Sequence, residues 1–301
     1  MSDDKAPEMN FSITYVSKYE YDAEVVDNLN ALRVKPAANS RQRVDEFSVR
    51  LSPEARLHRH ADYFGTEVVE FEIPRPHKTL VVDVRARVTT QAPSSPPKST
   101  WEGLRKPAYR EAGGEFLFQT DSAPGHPLLD ELIAATSQTA DPVALVIAVA
   151  ELIPDRFEYR KGATYVDSPL SDVLDGGAGV CQDFVHLGLF LLRHHGIAAR
   201  YVSGYLYSTE SEETHESIEV DTHAWIEALL PVARGEPTWV GVDPTNQGLT
   251  AQRHVKIGHG RHYADVPPIK GVYRGMANAE LDATVTMTRL DEADPAAIAR
   301  A

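Results

Sequence analysis

The chain has 301 residues, 42% hydrophobic and 25% charged, with a formal charge of −14 from 44 acids and 30 bases. This is the composition of a soluble globular protein with room for one large core or two ordinary ones, and the acid surplus argues against a nucleic-acid footprint or attraction to anionic lipid. With no apolar run of about 18 residues, a polar N-terminus and one cysteine, the sequence predicts no membrane span, no signal peptide, no intrachain disulfide and a cytoplasmic location.

From about Phe11 to Thr90 the apolar residues recur with a period of two, as in Phe11, Ile13 and Tyr15 or Val82, Val84, Ala86 and Val88. Separated by turn signals such as Ser52-Pro53-Glu54 and Phe64-Gly65-Thr66, these runs predict an antiparallel β-sandwich-like domain over residues 9–92. The stretch Gln91–Thr100, rich in Pro and Ser, lacks periodicity and supplies a linker at 93–100. A second unit follows at 101–291, with a tail at 292–301. In it, Asp141 caps a helix that has Pro142 at its first position and Pro154 at its expected end.

A second helix begins near Cys181 and ends at Gly196, apolar on most faces and therefore buried centrally. Strand-like runs then cover Ala198–Tyr207, Thr222–Leu229, Thr238–Val242 and Ala283–Thr288. The acidic stretch Ser208–Asp221 reads as a solvated loop, with a substrate-gating role as the alternative.

Cys181 follows Gly176-Gly177-Ala178-Gly179-Val180, where a glycine-rich loop meets the second helix. A lone cysteine is often a small buried hydrophobe, yet a helix N-terminus stabilises a thiolate and makes the sulfur nucleophilic. A cysteine nucleophile needs a base, and the base needs an orienting acceptor. His223, opening Thr222-His223-Ala224-Trp225, and Asp243, ending Trp239-Val240-Gly241-Val242-Asp243 before Pro244, are placed for both tasks. Trp225 shares the His223 face of its strand, where it covers the His223–Asp243 pair or serves as a core aromatic.

The blocks Gly179-Val180-Cys181-Gln182-Asp183-Phe184, Gly196 to Tyr205, Thr222-His223-Ala224-Trp225-Ile226-Glu227 and Val242-Asp243-Pro244-Thr245-Asn246 together resemble the transglutaminase-like core of bacterial proteins. The Phe11–Thr90 region, with Leu32-Arg33-Val34-Lys35-Pro36 and Asp62-Tyr63-Phe64-Gly65, resembles the β-rich N-terminal domain that accompanies it, so the resemblance covers about nine-tenths of the chain. The resemblance implies an α+β fold: an N-terminal antiparallel β-sandwich-like domain, then a papain/transglutaminase-like core with a central helix packed on an antiparallel sheet. It also implies Cys181 as nucleophile, His223 as general base and then acid, and Asp243 as orienting carboxylate. The expected activity is acyl transfer or hydrolysis on peptide or protein amides through a thioester, with no cofactor. A non-catalytic peptide- or protein-binding module is the alternative.

The backbone N–H of Cys181 is the natural first oxyanion donor, and Tyr165 is one candidate for the second. Asp183 reads as a partner of the helix dipole, with a hydrogen bond to the loop as the competing role. His58 with His60, and His254 with His259 and His262, raise a metal hypothesis, but neither group has a recognisable ligand spacing and no metal site is expected. No calcium loop is present either.

Overall fold

One long strand organises the N-terminal region. The structure, a computed structural model, describes residues 8–121, 125–166, 168–209, 216–233 and 235–291. Strand β1 (Glu8–Leu32) is followed by β2 (Gln42–Ser52), β3 (His58–Ala61), β4 (Glu67–Ile73) and β5 (His77–Gln91). The early part of β1 pairs antiparallel with β5 and its last residues with β4. Between them the register shifts after Glu20 and Asp27 adopts φ 48°, so the strand bends and one antiparallel sheet curls on itself. The period of two buries Phe11, Ile13 and Tyr15 on the inner face.

After residues 92–100, which carry no helix or strand, come α1 (Pro107–Gly113), α2 (Pro127–Thr136) and α3 (Pro142–Arg156). Asp141 caps α3 as expected, its carboxylate accepting from Ala144 N at 2.9 Å. The helix passes through Pro154 instead of stopping there. Proline removes a single donor, and the Phe157 amide closes on Ile153 O at 3.0 Å beyond it. Next are β6 (Glu158–Tyr159), α4 (Leu170–Gly176), β7 (Ala178–Gly179) and α5 (Cys181–His194). Helix α5 is buried along almost its whole length, and Gly188 lets it approach the sheet, since a Cβ there would lie 2.4 Å from Ile226 Cδ1. It ends at Gly196, φ +79°, where the amides of Gly196 and Ile197 return to Arg193 O and Leu192 O.

The remaining strands are β8 (Ala199–Leu206), β9 (Ser217–Val220), β10 (Thr222–Leu230), β11 (Thr238–Asp243), β12 (Gly248–Leu249), β13 (His254–Gly260), β14 (Ile269–Arg274) and β15 (Ala279–Leu290). Strands β12-β11-β10-β8-β13 form the antiparallel sheet on which α5 packs. Two further features differ from the sequence reading. Strands β14 and β15, placed by sequence in the second unit, pair with β1 and complete the N-terminal sheet. Part of the acidic stretch forms a strand: β9 adds an edge strand to β15, its half-buried Ile218 and Val220 packing on that core while Ser217 and Glu219 face outward. Glu210, Glu212 and Glu213 lie outside the described residues, as does the 292–301 tail.

The two units share a core, in which Tyr205, Tyr207, Val255 and Ile257 pack with Phe11 and Val84. Polar contacts fix their relation. The buried Gln42 amide accepts from Lys256 N at 2.8 Å and donates to Lys256 O at 2.7 Å and Ala37 O at 2.6 Å. Thr90 Oγ1 donates to Gln252 O at 2.7 Å. Lys256 O also accepts from Ala37 N at 2.8 Å, so losing the Gln42 amide strips Lys256 N and Ala37 O of these partners, and backbone groups left without partners cost more than the hydrogen bonds are worth. Gln42→Ala should therefore lower stability by about 2–3 kcal/mol in urea unfolding. A loss below about 0.5 kcal/mol, the range of a neutral surface change, would show that the clamp contributes nothing.

Candidate active site

The loop that presents Cys181 is built from short-range constraints. Gly177, at φ +62°, ends α4, and Ala178–Gly179 pairs in parallel with Glu158–Tyr159. The next residue, Val180, is extended, and Cys181 starts α5 half-buried against the core. The first amides of a helix have no intrahelical acceptor, so the Cys181 N–H points out of the first turn.

Asp183 takes the second of its two expected roles. Its Oδ2 accepts from Val180 N at 2.7 Å and from Thr164 Oγ1 at 2.5 Å, tying the loop to the helix start. Burial raises its pKa, against the opposing pull of those two donors. A Cβ at Gly179 would meet Asp183 Oδ2 at 2.8 Å, so the glycine is needed for this close approach.

His223 lies near the start of β10 and Asp243 at the end of β11. His223 Nε2 is 2.8 Å from Asp243 Oδ2. A ring that donates through Nε2 leaves Nδ1 for the thiol, and the Cys181 side chain interacts with this imidazole by hydrogen bonding and charge. Burial pushes the His223 pKa down, but the Asp243 hydrogen bond and charge, reinforced by Cys181, outweigh it and carry the pKa up to about 9. Asp243 is 1% exposed. Burial raises its pKa, yet donation from His223 and His254 holds it well below the usual carboxylate range. Thr245 N and Asn246 N satisfy its Oδ1, and Asn246 Nδ2 donates to Oδ2 at 2.7 Å.

Trp225 is buried and packs on both histidines, its ring 6.2 Å from His223 and edge-on at 5.3 Å to His254. Gly204 makes the room, because a Cβ there would lie 2.4 Å from the indole.

Two groups of the site have roles that sequence reasoning does not assign. Tyr159, set beside the cysteine loop by the β6–β7 pair, has a hydroxyl whose pKa is pushed to about 12 by burial first and then by the negative charge of Cys181, Asp221 and Asp243. It is a neutral donor at working pH, and a two-residue strand carries no periodicity that could reveal it. His254 is the other, its Nε2 3.0 Å from Asp243 Oδ2. Tyr165 lies on the surface at 83% exposure, with its amide bonded to Ser168 Oγ.

The histidines of the metal hypothesis separate. His259 bonds Arg200 Nη1, His262 stacks on His186 at 4.0 Å, and His58 and His60 are exposed on β3. Ligand atoms of His223, Asp243 and His254 do lie within 4.8 Å of one another. Both ring nitrogens are at hydrogen-bond distance from a single carboxylate oxygen, an arrangement already satisfied by protons.

A cysteine at the start of a central helix, facing a histidine–aspartate pair on an antiparallel sheet, defines the transglutaminase-like class of fold. Residues 11–89 match the bacterial transglutaminase-like N-terminal region and residues 130–244 the transglutaminase-like superfamily. A full-length relative, an uncharacterized protein of Mycobacterium leprae, is 33% identical over 279 residues, 92% of this chain and 98% of its own. The chain belongs to the bacterial transglutaminase-like family. Residues of this chain are also 28% identical over 193 positions to the protein-glutamine gamma-glutamyltransferase of Pseudomonas aeruginosa, covering 60% of this chain and 26% of that protein. The crystal structure of a candidate cysteine protease from Cytophaga hutchinsonii superposes with a TM-score of 0.76 at 23% identity, over 96% of this chain and 93% of that one.

Folding raises the His223 pKa from 6.5 to about 9, so its contribution to stability is complete below 6.5 and is lost as the pH rises through 9. The stability gap between wild type and His223→Gln in urea should narrow by about 2–3 kcal/mol from pH 6 to pH 10. A gap that stays constant or widens contradicts this assignment.

Proposed function

We propose that the chain is a cysteine-dependent acyl-transfer enzyme acting on peptide or protein amides. The observation that carries the reading is the His223–Asp243 pair at 2.8 Å, with the Cys181 side chain acting on the same imidazole by hydrogen bonding and charge. Cys181 gives its proton to His223 as it attacks, and Asp243 stabilises the imidazolium that forms. The thiolate attacks the amide carbonyl carbon and forms a C–S bond, moving the π electrons onto oxygen. The Cys181 N–H and the Tyr159 hydroxyl are the two donors suited to that oxyanion. Collapse breaks the C–N bond, His223 protonates the departing amine or ammonia, and a thioester remains on Cys181. His223, now neutral, takes a proton from the incoming acceptor, whose attack breaks the C–S bond and releases Cys181.

Water is the acceptor the site surroundings favour. Tyr159 is 45% exposed, and beyond it Lys161, paired with Asp221, stands in open solvent, so this rim is open to water among the described residues. The Pseudomonas relative, named for transfer from protein glutamine, supports the same first half-reaction. The binding-module alternative has no observation in its favour.

Incubation with a peptide library, with and without cadaverine, followed by mass spectrometry separates hydrolysed, deamidated and amine-coupled products. Cys181-dependent hydrolysis or deamidation is expected, with amine coupling the minor outcome. Cys181→Ala should remain folded and yield none of these products, and His223→Ala should lose at least about 100-fold in rate. Undiminished turnover in Cys181→Ala excludes the mechanism.

A further inference from the structure

His254 has no task in the acyl-transfer steps, yet it occupies the same carboxylate oxygen as the general base. It opens β13 with its side chain 9% exposed. The Ala251 amide donates to its Nδ1 at 3.1 Å. An amide N–H can only donate, so Nδ1 holds a lone pair and the ring proton sits on Nε2. Nε2 therefore donates to Asp243 Oδ2 at 3.0 Å, opposite the 2.8 Å bond from His223.

The ring centroids of the two histidines are 6.2 Å apart, and Trp225 packs on both, so they flank one oxygen under a common cover. The N-terminal region holds the strand that carries His254. Gln42 binds both backbone groups of Lys256, two residues on, and Thr90 binds Gln252 O, two residues before. At this junction a cavity of about 50 Å³ is lined by Arg41, Gln42, Thr90, Trp225, His254 and Lys256.

We infer that His254 is a positioning residue for the catalytic pair, and that the N-terminal β region acts on the active site through it. The inference rests on the acyl-transfer reading above. A third N–H on Oδ2, beside those of His223 and Asn246 Nδ2, favours the carboxylate over the acid and keeps that oxygen in line with His223 Nε2. The titratable groups acting on Asp243 are His223, His254 and, by longer-range charge, Tyr159, while Cys181 acts on the His223 ring. Lys256, Arg41 and Glu227 line the far side of His254.

The test is the rate of Cys181 alkylation by iodoacetamide between pH 4 and 9. In His254→Ala the acid limb of the profile should move up by about one pH unit, the size of a lost hydrogen bond to a charged group. His254→Phe, which keeps the ring packing against Trp225, should shift equally, while His254→Gln, whose amide nitrogen can reach Oδ2, should restore the limb to within a few tenths of a unit. Gln42→Ala should shift it in the same direction by a smaller amount. Ala and Phe profiles that superimpose on wild type, while His223→Ala differs, overturn the role of His254 alone. A Gln42→Ala profile equal to wild type removes the link to the N-terminal region. If His223→Ala also leaves the profile unchanged, the catalytic reading itself fails and this inference with it.

Discussion

The structure depends on keeping one carboxylate charged in a nearly dry place. Asp243 is 1% exposed, and its two oxygens accept from Thr245 N, Asn246 N, Asn246 Nδ2, His223 and His254. An isolated carboxylate buried to that degree would take up a proton, and the donors reverse that outcome. The consequence reaches His223. Its pKa rises chiefly because the partner stays anionic, with Cys181 adding to the rise, and a raised pKa suits the ring to hold a proton. Asp243 cannot move far without losing several donors at once.

The surrounding architecture delivers three chain segments to that point. Helix α5, buried on nearly every face, fixes where its first residue opens, and β10 and β11 bring His223 and Asp243 together from neighbouring strands. The third segment, from Asp243 to His254, returns to the same oxygen and enters β13, an edge of the core sheet. That edge meets the N-terminal unit, where Gln42 matches Lys256 with both ends of its amide. The N-terminal sheet is itself closed by the last strands of the chain, so its folding needs β1 and β15, residues more than 250 positions apart. Contacts of that range are slow to form and cooperative once made.

Much of this is legible in the sequence because the key residues stand where local chemistry leaves marks. Glycines before Cys181 signal a turn into a helix, Asp141 and Pro142 signal a cap, and Pro244 signals the end of β11 directly after the aspartate. The period of two marks β15 as a strand but carries no information on its partner, which is why the sequence groups it with the second unit and not with the N-terminal sheet it joins. His254 is visible there only as one of several histidines near glycines. Its role arises from a loop doubling back on Asp243, and no spacing rule encodes that return. Tyr159 escapes for the opposite reason, since its strand is too short to show a pattern. The acidic stretch reads as loop because its charge masks the two apolar residues that seat β9.

The central claim is that Asp243 holds a proton on His223 in the presence of the Cys181 sulfur. Long-range proton–nitrogen NMR of the histidine rings reads both the tautomer and the titration of this side chain. The account predicts a His223 ring protonated at both nitrogens through neutral pH, titrating near 9, with that midpoint falling in Asp243→Asn. A His223 that titrates near 6.5 in both proteins would contradict it.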